Sequence, residues 1–267
     1  MSIRLESDGV RTVRRGKVWL VGAGPGDPDL MTVRAQRLVT TADVLAYDEL
    51  VPASILALAP IDAELIPVGR RAGGCRHHEA RIHPQVIVRA IEGRDVVRLK
   101  GGDPFIFGRG GEEAEELAAA NVPFEVVPGV SAALAAAAAA HIPLTHREVA
   151  SSVTFATAHT TGEAPALSAL LSTRGTLVLY MGLGHVARSM RGLIDGGHAP
   201  TTPAAIVANA GREGTMTVVG TVATLADEAF RVGIASPAVV IVGEVVARAV
   251  ASPDASRMLG AMAWSAR

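Results

Sequence analysis

Residues 96–113, VVRLKGGDPFIFGRGGEE, bring the residue types of a small-molecule site closer together than packing alone requires. An apolar run through Val96, Val97 and Leu99 reads as a buried strand. It stops at Gly101-Gly102-Asp103-Pro104, where the missing Cβ atoms let a ligand lie against bare main chain. Phe105, Ile106 and Phe107 follow as an apolar wall. Arg109, Glu112 and Glu113 then set fixed charges where the loop runs into a helix. Asp103 can accept a hydrogen bond from a ligand hydroxyl or amino group.

A second glycine turn, Gly22-Ala23-Gly24-Pro25-Gly26-Asp27, also follows an apolar run, and Asp48 stands about where the ribose-binding acid of a dinucleotide fold is expected. The chemistry fits that fold poorly. Asp27 occupies the place of the third glycine, where a carboxylate would repel a pyrophosphate, and Pro25 removes an amide that could donate to one.

Alternating strand and helix patterns must carry these loops. Strands are predicted at 17–21, 43–47, 64–68, 95–100 and 124–127, with helices at 32–41, 52–58, 84–92, 112–120 and 131–140. That alternation implies a parallel sheet covered on both faces. The alanine run at 135–140 reads as a slim helix that packs close to its neighbours. PLTHREV at 143–149 breaks the pattern and marks a domain junction. Beyond it, strands are expected at 153–158, 176–181, 204–208, 215–219 and 238–242, and helices at 164–171, 185–195 and 222–229. Because the last two strands are separated by little helix, the second sheet is expected to be mixed. The organisation is therefore a flexible arm at 1–16, an N-terminal α/β domain at 17–143, a C-terminal α/β domain at 144–250 and a tail at 251–267.

Composition narrows the function classes. The 267 residues are 49% hydrophobic, enough for a sizeable core, and a formal net charge of -1 gives no overall field for nucleic acid or an anionic membrane. No apolar run approaches the roughly 18 residues of a membrane span, and residues 1–17 lack the apolar core of a secretory signal. A single cysteine, Cys75, excludes an intrachain disulfide and fits a reducing compartment, so the chain is read as cytoplasmic. Cys75, His77 and His78 match no common zinc spacing, and no metal is expected.

GAGPGDPDLMT at 22–32, YDELV at 47–51, VGRRAG at 68–73, RLKGGDPFIFGRGGEE at 98–113, VPGVSA at 127–132 and PLTHR at 143–147 together resemble the uroporphyrinogen-III C-methyltransferases of the tetrapyrrole methylase family. The likeness runs from about residue 18 to residue 246. It implies two α/β domains, a parallel N-terminal sheet and a mixed C-terminal one, with the cofactor in the cleft between them, in a homodimer. It further implies methyl transfer from S-adenosylmethionine to C2 and then C7 of uroporphyrinogen III, giving precorrin-2 by way of precorrin-1 for sirohaem and cobalamin synthesis, with S-adenosylhomocysteine as the other product. A methylase acting on a later corrin precursor and a tetrapyrrole-binding protein without turnover are the rival readings. Since the first strand begins near Lys17, the fused sirohaem synthase form is not expected.

Carried over by motif, Pro25, Gly101, Gly102, Asp103, Ile106, Ser131, Ala132, Met181 and Ala210 would contact the cofactor. The macrocycle bears eight carboxylates, which arginine forks suit; Arg109 and Arg147 are the first choices, with Arg70 and Arg71 behind them. Glu112 would hold Arg109 or orient a pyrrole NH. Asp48 would take the proton lost after methylation, although it could equally cap the helix after Pro52. The sequence departs from the family pattern in four places: Arg70 stands where lysine is usual, the stretch 77–83 lacks the usual glutamine, acid and Ile-Asn, residues 207–211 with Ala210 replace a segment that normally carries Gly-Thr, and Ser131 replaces threonine while keeping the hydroxyl.

Overall fold

The computed structural model describes residues 15–69, 82–158 and 167–250. The arm up to residue 14, Arg70, Arg71, Cys75, His77, His78, the first part of the 164–171 helix and the tail from 251 lie outside the described residues. Contacts divide the chain after Ser131, ahead of the junction expected at 143, because the alanine helix packs against strands of the second sheet.

The first unit is a five-stranded sheet of β1 (Val18–Gly22), β2 (Val44–Tyr47), β3 (Glu64–Pro67), β4 (Val96–Lys100) and β5 (Phe124–Val127) in the order β3-β2-β4-β1-β5, every pair parallel. Period-2 alternation sends Val18, Leu20 and Val96 to one face, against Val86 and Ala90 of α3 (Pro84–Ile91) and Leu117 of α4 (Gly110–Ala119). Val21, Val97 and Leu99 face the other way, against Ala35 and Val39 of α1 (Val33–Thr40) and Ile55 of α2 (Ala53–Leu56). From β1 the chain leaves toward β2, whereas from β4 it leaves across β1 to β5, so the order reverses between β1 and β4. In open parallel sheets ligands bind at such a reversal, beyond the carboxyl ends of the strands. Both glycine loops are there.

Edge strand β3 is tied to the helical layer by Glu64, which accepts from Arg89 Nε at 3.0 Å and Nη2 at 2.7 Å and also pairs with Arg94. The Arg89 hydrogen bond, reinforced by Arg94 and opposed by partial burial, lowers the Glu64 pKa below its ordinary 4.5. A carboxylate that is more acidic folded than unfolded stabilises the protein above the unfolded value and loses that contribution as pH falls through the folded one. Glu64→Gln is therefore expected to cost about 1 kcal/mol or less at pH 7 and to flatten the decline in stability below pH 4.5. Urea unfolding of both proteins at pH 7 and in the acid range checks this.

The second unit contains α5 (Ala132–Ala139), β6 (Ser152–Thr157), α6 (Leu167–Leu170), β7 (Gly175–Tyr180), α7 (Val186–Asp195), β8 (Pro203–Ala208), β9 (Met216–Thr221), α8 (Leu225–Val232) and β10 (Ala238–Val242). Its strand order is β6-β7-β10-β8-β9, with β6 and β7 parallel and the other pairs antiparallel. The sheet is mixed as expected, but for a different reason. β8 and β9 form an antiparallel pair joined by a short loop, whereas β9 and β10 are linked by the full helix α8 and run in the same direction on either side of β8. α8 also begins three residues later than the pattern suggested. Thr224 Oγ1 accepts from Thr221 N and holds 221–224 as a turn, and the helix stops at Gly233, whose φ of 64° closes it. Ala133 and Ala136 of α5 are fully buried, and the helix packs on β8 and β10, as small side chains allow.

Candidate active site

The loops beyond β1, β4 and β5 are stitched together by backbone. Ala23 N donates to Lys100 O at 2.8 Å, and Gly24 and Gly102 exchange a reciprocal pair at 3.2 and 2.7 Å, with φ values of 73° and 68° that favour glycine. The Asp103 carboxylate accepts from Phe105 N at 2.8 Å and from Gly129 N at 3.0 Å, so it fixes its own loop and the one after β5. These amides are spent within the protein. α1, moreover, starts only at Val33, after a 3-10 turn at Pro28–Leu30, so neither feature of a pyrophosphate-binding turn is present.

Gly22 and Gly129 are structural, each blocked by main-chain atoms. A Cβ at Gly129 would stand 2.3 Å from the Gly102 carbonyl oxygen and 2.8 Å from the Gly22 Cα, main-chain atoms that cannot step aside. Gly129→Ala is expected to destabilise the protein by about 1–3 kcal/mol, read as a lower melting temperature. Gly101 differs: a Cβ there would meet only the Leu50 Cβ, at 3.3 Å. Its main chain borders open space, next to the loop that carries Asp48.

Asp48 follows β2, its amide donating to Leu99 O at 3.1 Å. Its carboxylate accepts from Arg98 Nη2 at 2.6 Å, with Lys100 Nζ at 3.8 Å from the other oxygen. Arg98 and Lys100 alternate with Val97 and Leu99 along the central strand, on the face covered by α4, where Glu113 meets Lys100 Nζ at 3.0 Å and Arg98 Nη2 at 2.8 Å. Burial alone would lower the Arg98 pKa, but Asp48 and Glu113 outweigh it and the pKa is raised; that of Lys100 is lowered by burial and by the Arg98 charge. Sequence reasoning gave Arg98 and Lys100 no role and read Glu113 only as a fixed charge at the end of the loop. The available signal was two cations two residues apart inside an apolar strand, which a sheet covered on both faces cannot hand to water.

The remaining candidates fall into place as follows. Pro25 is buried behind the first glycine turn; Ile106 is half-buried and Ser131 buried. Arg109 begins α4 in the left-handed region, with φ 58°, and its exposed side chain reaches Glu112 Oε1 at 3.4 Å, the pairing expected. In the second unit, Met181 follows β7 with φ 53°, a strained backbone at a strand end, and is 53% exposed. Tyr180 OH accepts from Ala133 N at 3.2 Å and so ties the start of α5, with Ala132, to the residue before Met181. Ala210 is half-buried just past β8, which runs in the same direction as β7, so it lies at the same end of that sheet. Arg147 is exposed, its carbonyl accepting from Arg174 Nη2 at 3.0 Å.

The sequence profile of the tetrapyrrole (corrin/porphyrin) methylases matches residues 17–226. The chain belongs to the tetrapyrrole methylases. This methylase is 46% identical over 235 residues to the S-adenosyl-L-methionine-dependent uroporphyrinogen III methyltransferase of Methanosarcina barkeri, over 86% of its own length and 92% of the relative's. It is 48% identical over 246 residues to the siroheme synthase of Pseudomonas fluorescens, covering 91% of this chain and 53% of that one. It thus spans about half the length of the siroheme synthases it matches. The uroporphyrin-III C-methyl transferase of Thermus thermophilus complexed with S-adenyl homocysteine superposes with a TM-score of 0.75 at 39% identity, over 86% of this chain and 93% of that one. Among the described residues of the methylase, no helix is long and apolar enough to cross a membrane, and no cluster of histidine, cysteine and carboxylates could hold a metal.

Proposed function

We propose that this tetrapyrrole methylase transfers two methyl groups from S-adenosylmethionine to uroporphyrinogen III, at C2 and then C7. The products are precorrin-2, by way of precorrin-1, and S-adenosylhomocysteine. On this reading the protein works as a cytoplasmic homodimer supplying sirohaem and cobalamin synthesis.

The observation that carries the proposal is the pairing, at the switch point of the first sheet, of an accessible glycine main chain at Gly101 with the Asp48 carboxylate one loop away. S-adenosylmethionine can lie against that main chain because no side chain stands in its way. Pro25, Gly101, Gly102, Asp103, Ile106 and Ser131 are its contacts on this reading, with Ala132, Met181 and Ala210 carried over from the family motifs. Each oxygen of Asp103 already accepts one backbone amide and retains a second lone pair for a ligand hydroxyl.

A sulfonium methyl transfers in line with the departing sulfur, so placement supplies much of the rate. Attack by a pyrrole carbon leaves the ring cationic, and Asp48 accepts the proton that restores it. Arg109 and Arg147 grip acid side chains of the macrocycle, joined by Arg70 and Arg71, and Glu112 steadies Arg109. Anaerobic incubation with S-adenosylmethionine and uroporphyrinogen III, followed by mass spectrometry, is expected to show two added methyl groups. Binding of S-adenosylmethionine with no methylation would move the substrate to a later corrin precursor; no binding of either ligand would end the proposal.

A further inference from the structure

The four charges behind the switch point are arranged unlike a simple ion pair. Glu113 is 3% exposed, and three donors converge on its Oε1: Arg98 Nε at 3.2 Å, Arg98 Nη2 at 2.8 Å and Lys100 Nζ at 3.0 Å. Its buried Oε2 has no hydrogen-bond partner among the described residues. A carboxylate whose task was to neutralise Arg98 would face the guanidinium with both oxygens, fork to fork. Instead, Nη2 is shared between Glu113 and Asp48 Oδ1, and Nη1 donates to Leu99 O at 3.1 Å in the same strand. The side chains of Arg98, Lys100 and Glu113 are 5%, 2% and 4% exposed, against 27% for Asp48. The network therefore opens to solvent at one carboxylate.

Buried ionic networks add little net stability over apolar side chains of the same volume. Perturbed charges gathered beside a cleft accompany function more often than chance. Stability thus accounts poorly for two cations in the middle of the central strand.

We infer that Arg98, braced by Glu113, is a positioning residue for Asp48, pinning Oδ1 inward so that Oδ2 is presented to the substrate. The inference rests on the proposed role of Asp48 as the base. In the step it serves, the methylated ring carbon is quaternary, so a C–H bond of the methylene bridge beside that ring breaks. Its electron pair forms a C=C bond to the ring and discharges the ring nitrogen, and the proton forms an O–H bond at Asp48 Oδ2. Lys100 Nζ stays at 3.8 Å from that oxygen, too far to hold it by a hydrogen bond, so Oδ2 is left for the substrate.

Arg98→Lys tests this, because a single ammonium cannot bridge both carboxylates as Nη2 does. The expected result is a kcat roughly tenfold lower, with the S-adenosylmethionine Kd and the KM for uroporphyrinogen III unchanged within about twofold. In an Asp48→Asn background the same change should cost nothing further, as for two residues acting through one group. Glu113→Gln, which keeps the shape of the brace, should lower kcat in the same selective way and stands in if Arg98→Lys does not fold. A folded Arg98→Lys or Glu113→Gln protein with wild-type kcat overturns the inference, as does parallel loss of kcat and S-adenosylmethionine affinity, which would mark collapse of the loops. If the wild-type protein methylates no uroporphyrinogen III, the base assignment falls and this inference falls with it. If the wild type is active and the variants are unimpaired, only this inference falls.

Discussion

Asp48→Asn is expected to lower kcat for uroporphyrinogen III methylation by about a thousandfold, within the range found when a general base is removed, while S-adenosylmethionine affinity stays within about threefold. The substitution is nearly isosteric, and the amide oxygen can still accept from Arg98 Nη2, now 2.6 Å from Oδ1. What disappears is the capacity to take a proton. The half-exposed position of Asp48 limits the effect on folding, because water can solvate part of the altered network. Single-turnover methyl transfer monitored with the cofactor saturating separates this loss from any change in binding. A variant that retains the wild-type rate would remove Asp48 from the chemistry and leave it as a lid on a buried ion network.

Gly101→Val is expected to act on the other reactant, raising the S-adenosylmethionine Kd at least about a hundredfold, equivalent to roughly 2.7 kcal/mol. Gly129 and Gly101 differ in what surrounds them. At Gly129 a Cβ would strike main-chain atoms at 2.3 Å, so substitution there reports on folding. At Gly101 the nearest obstacle is one side-chain atom of Leu50 at 3.3 Å, so the protein should fold and melt within a few degrees of wild type. The branched side chain would then occupy the space a ligand needs in order to lie against the backbone. Calorimetric titration with S-adenosylmethionine, alongside a melting curve for each variant, checks the pair. Unchanged affinity in a folded Gly101→Val protein would place the donor elsewhere.

Most of the scaffold is local, and locality made it legible. The strand Phe124–Val127 and the helix Pro84–Ile91 stand where short apolar runs and a leading proline put them, because main-chain pairing and first-turn geometry are settled within a few residues. Boundaries moved where a side chain made a nearby hydrogen bond that no hydrophobic pattern encodes: Thr224 delayed the start of α8. The mixed second sheet was anticipated from the wrong pair of strands. Direction in a sheet depends on which strands become neighbours, and β10 inserts between β7 and β8, far from both in the chain.

The candidate site divides the same way. From glycines that follow apolar runs, the amino-acid sequence alone determined that residues 22–27 and 101–109 are loops at strand ends and, through shared motifs, to which family they belong. Only the tertiary structure decided that Gly22, Gly102 and Gly129 close on one another while Gly101 stays open, and that Met181 is exposed at the end of its strand. It alone also set Arg98, Lys100 and Glu113 behind Asp48, across 50 residues from Asp48 to Arg98 and 15 from Arg98 to Glu113. Each of those outcomes depends on distances between segments remote in sequence, and burial gives such distances their energetic weight by removing the water that would otherwise satisfy the same charges.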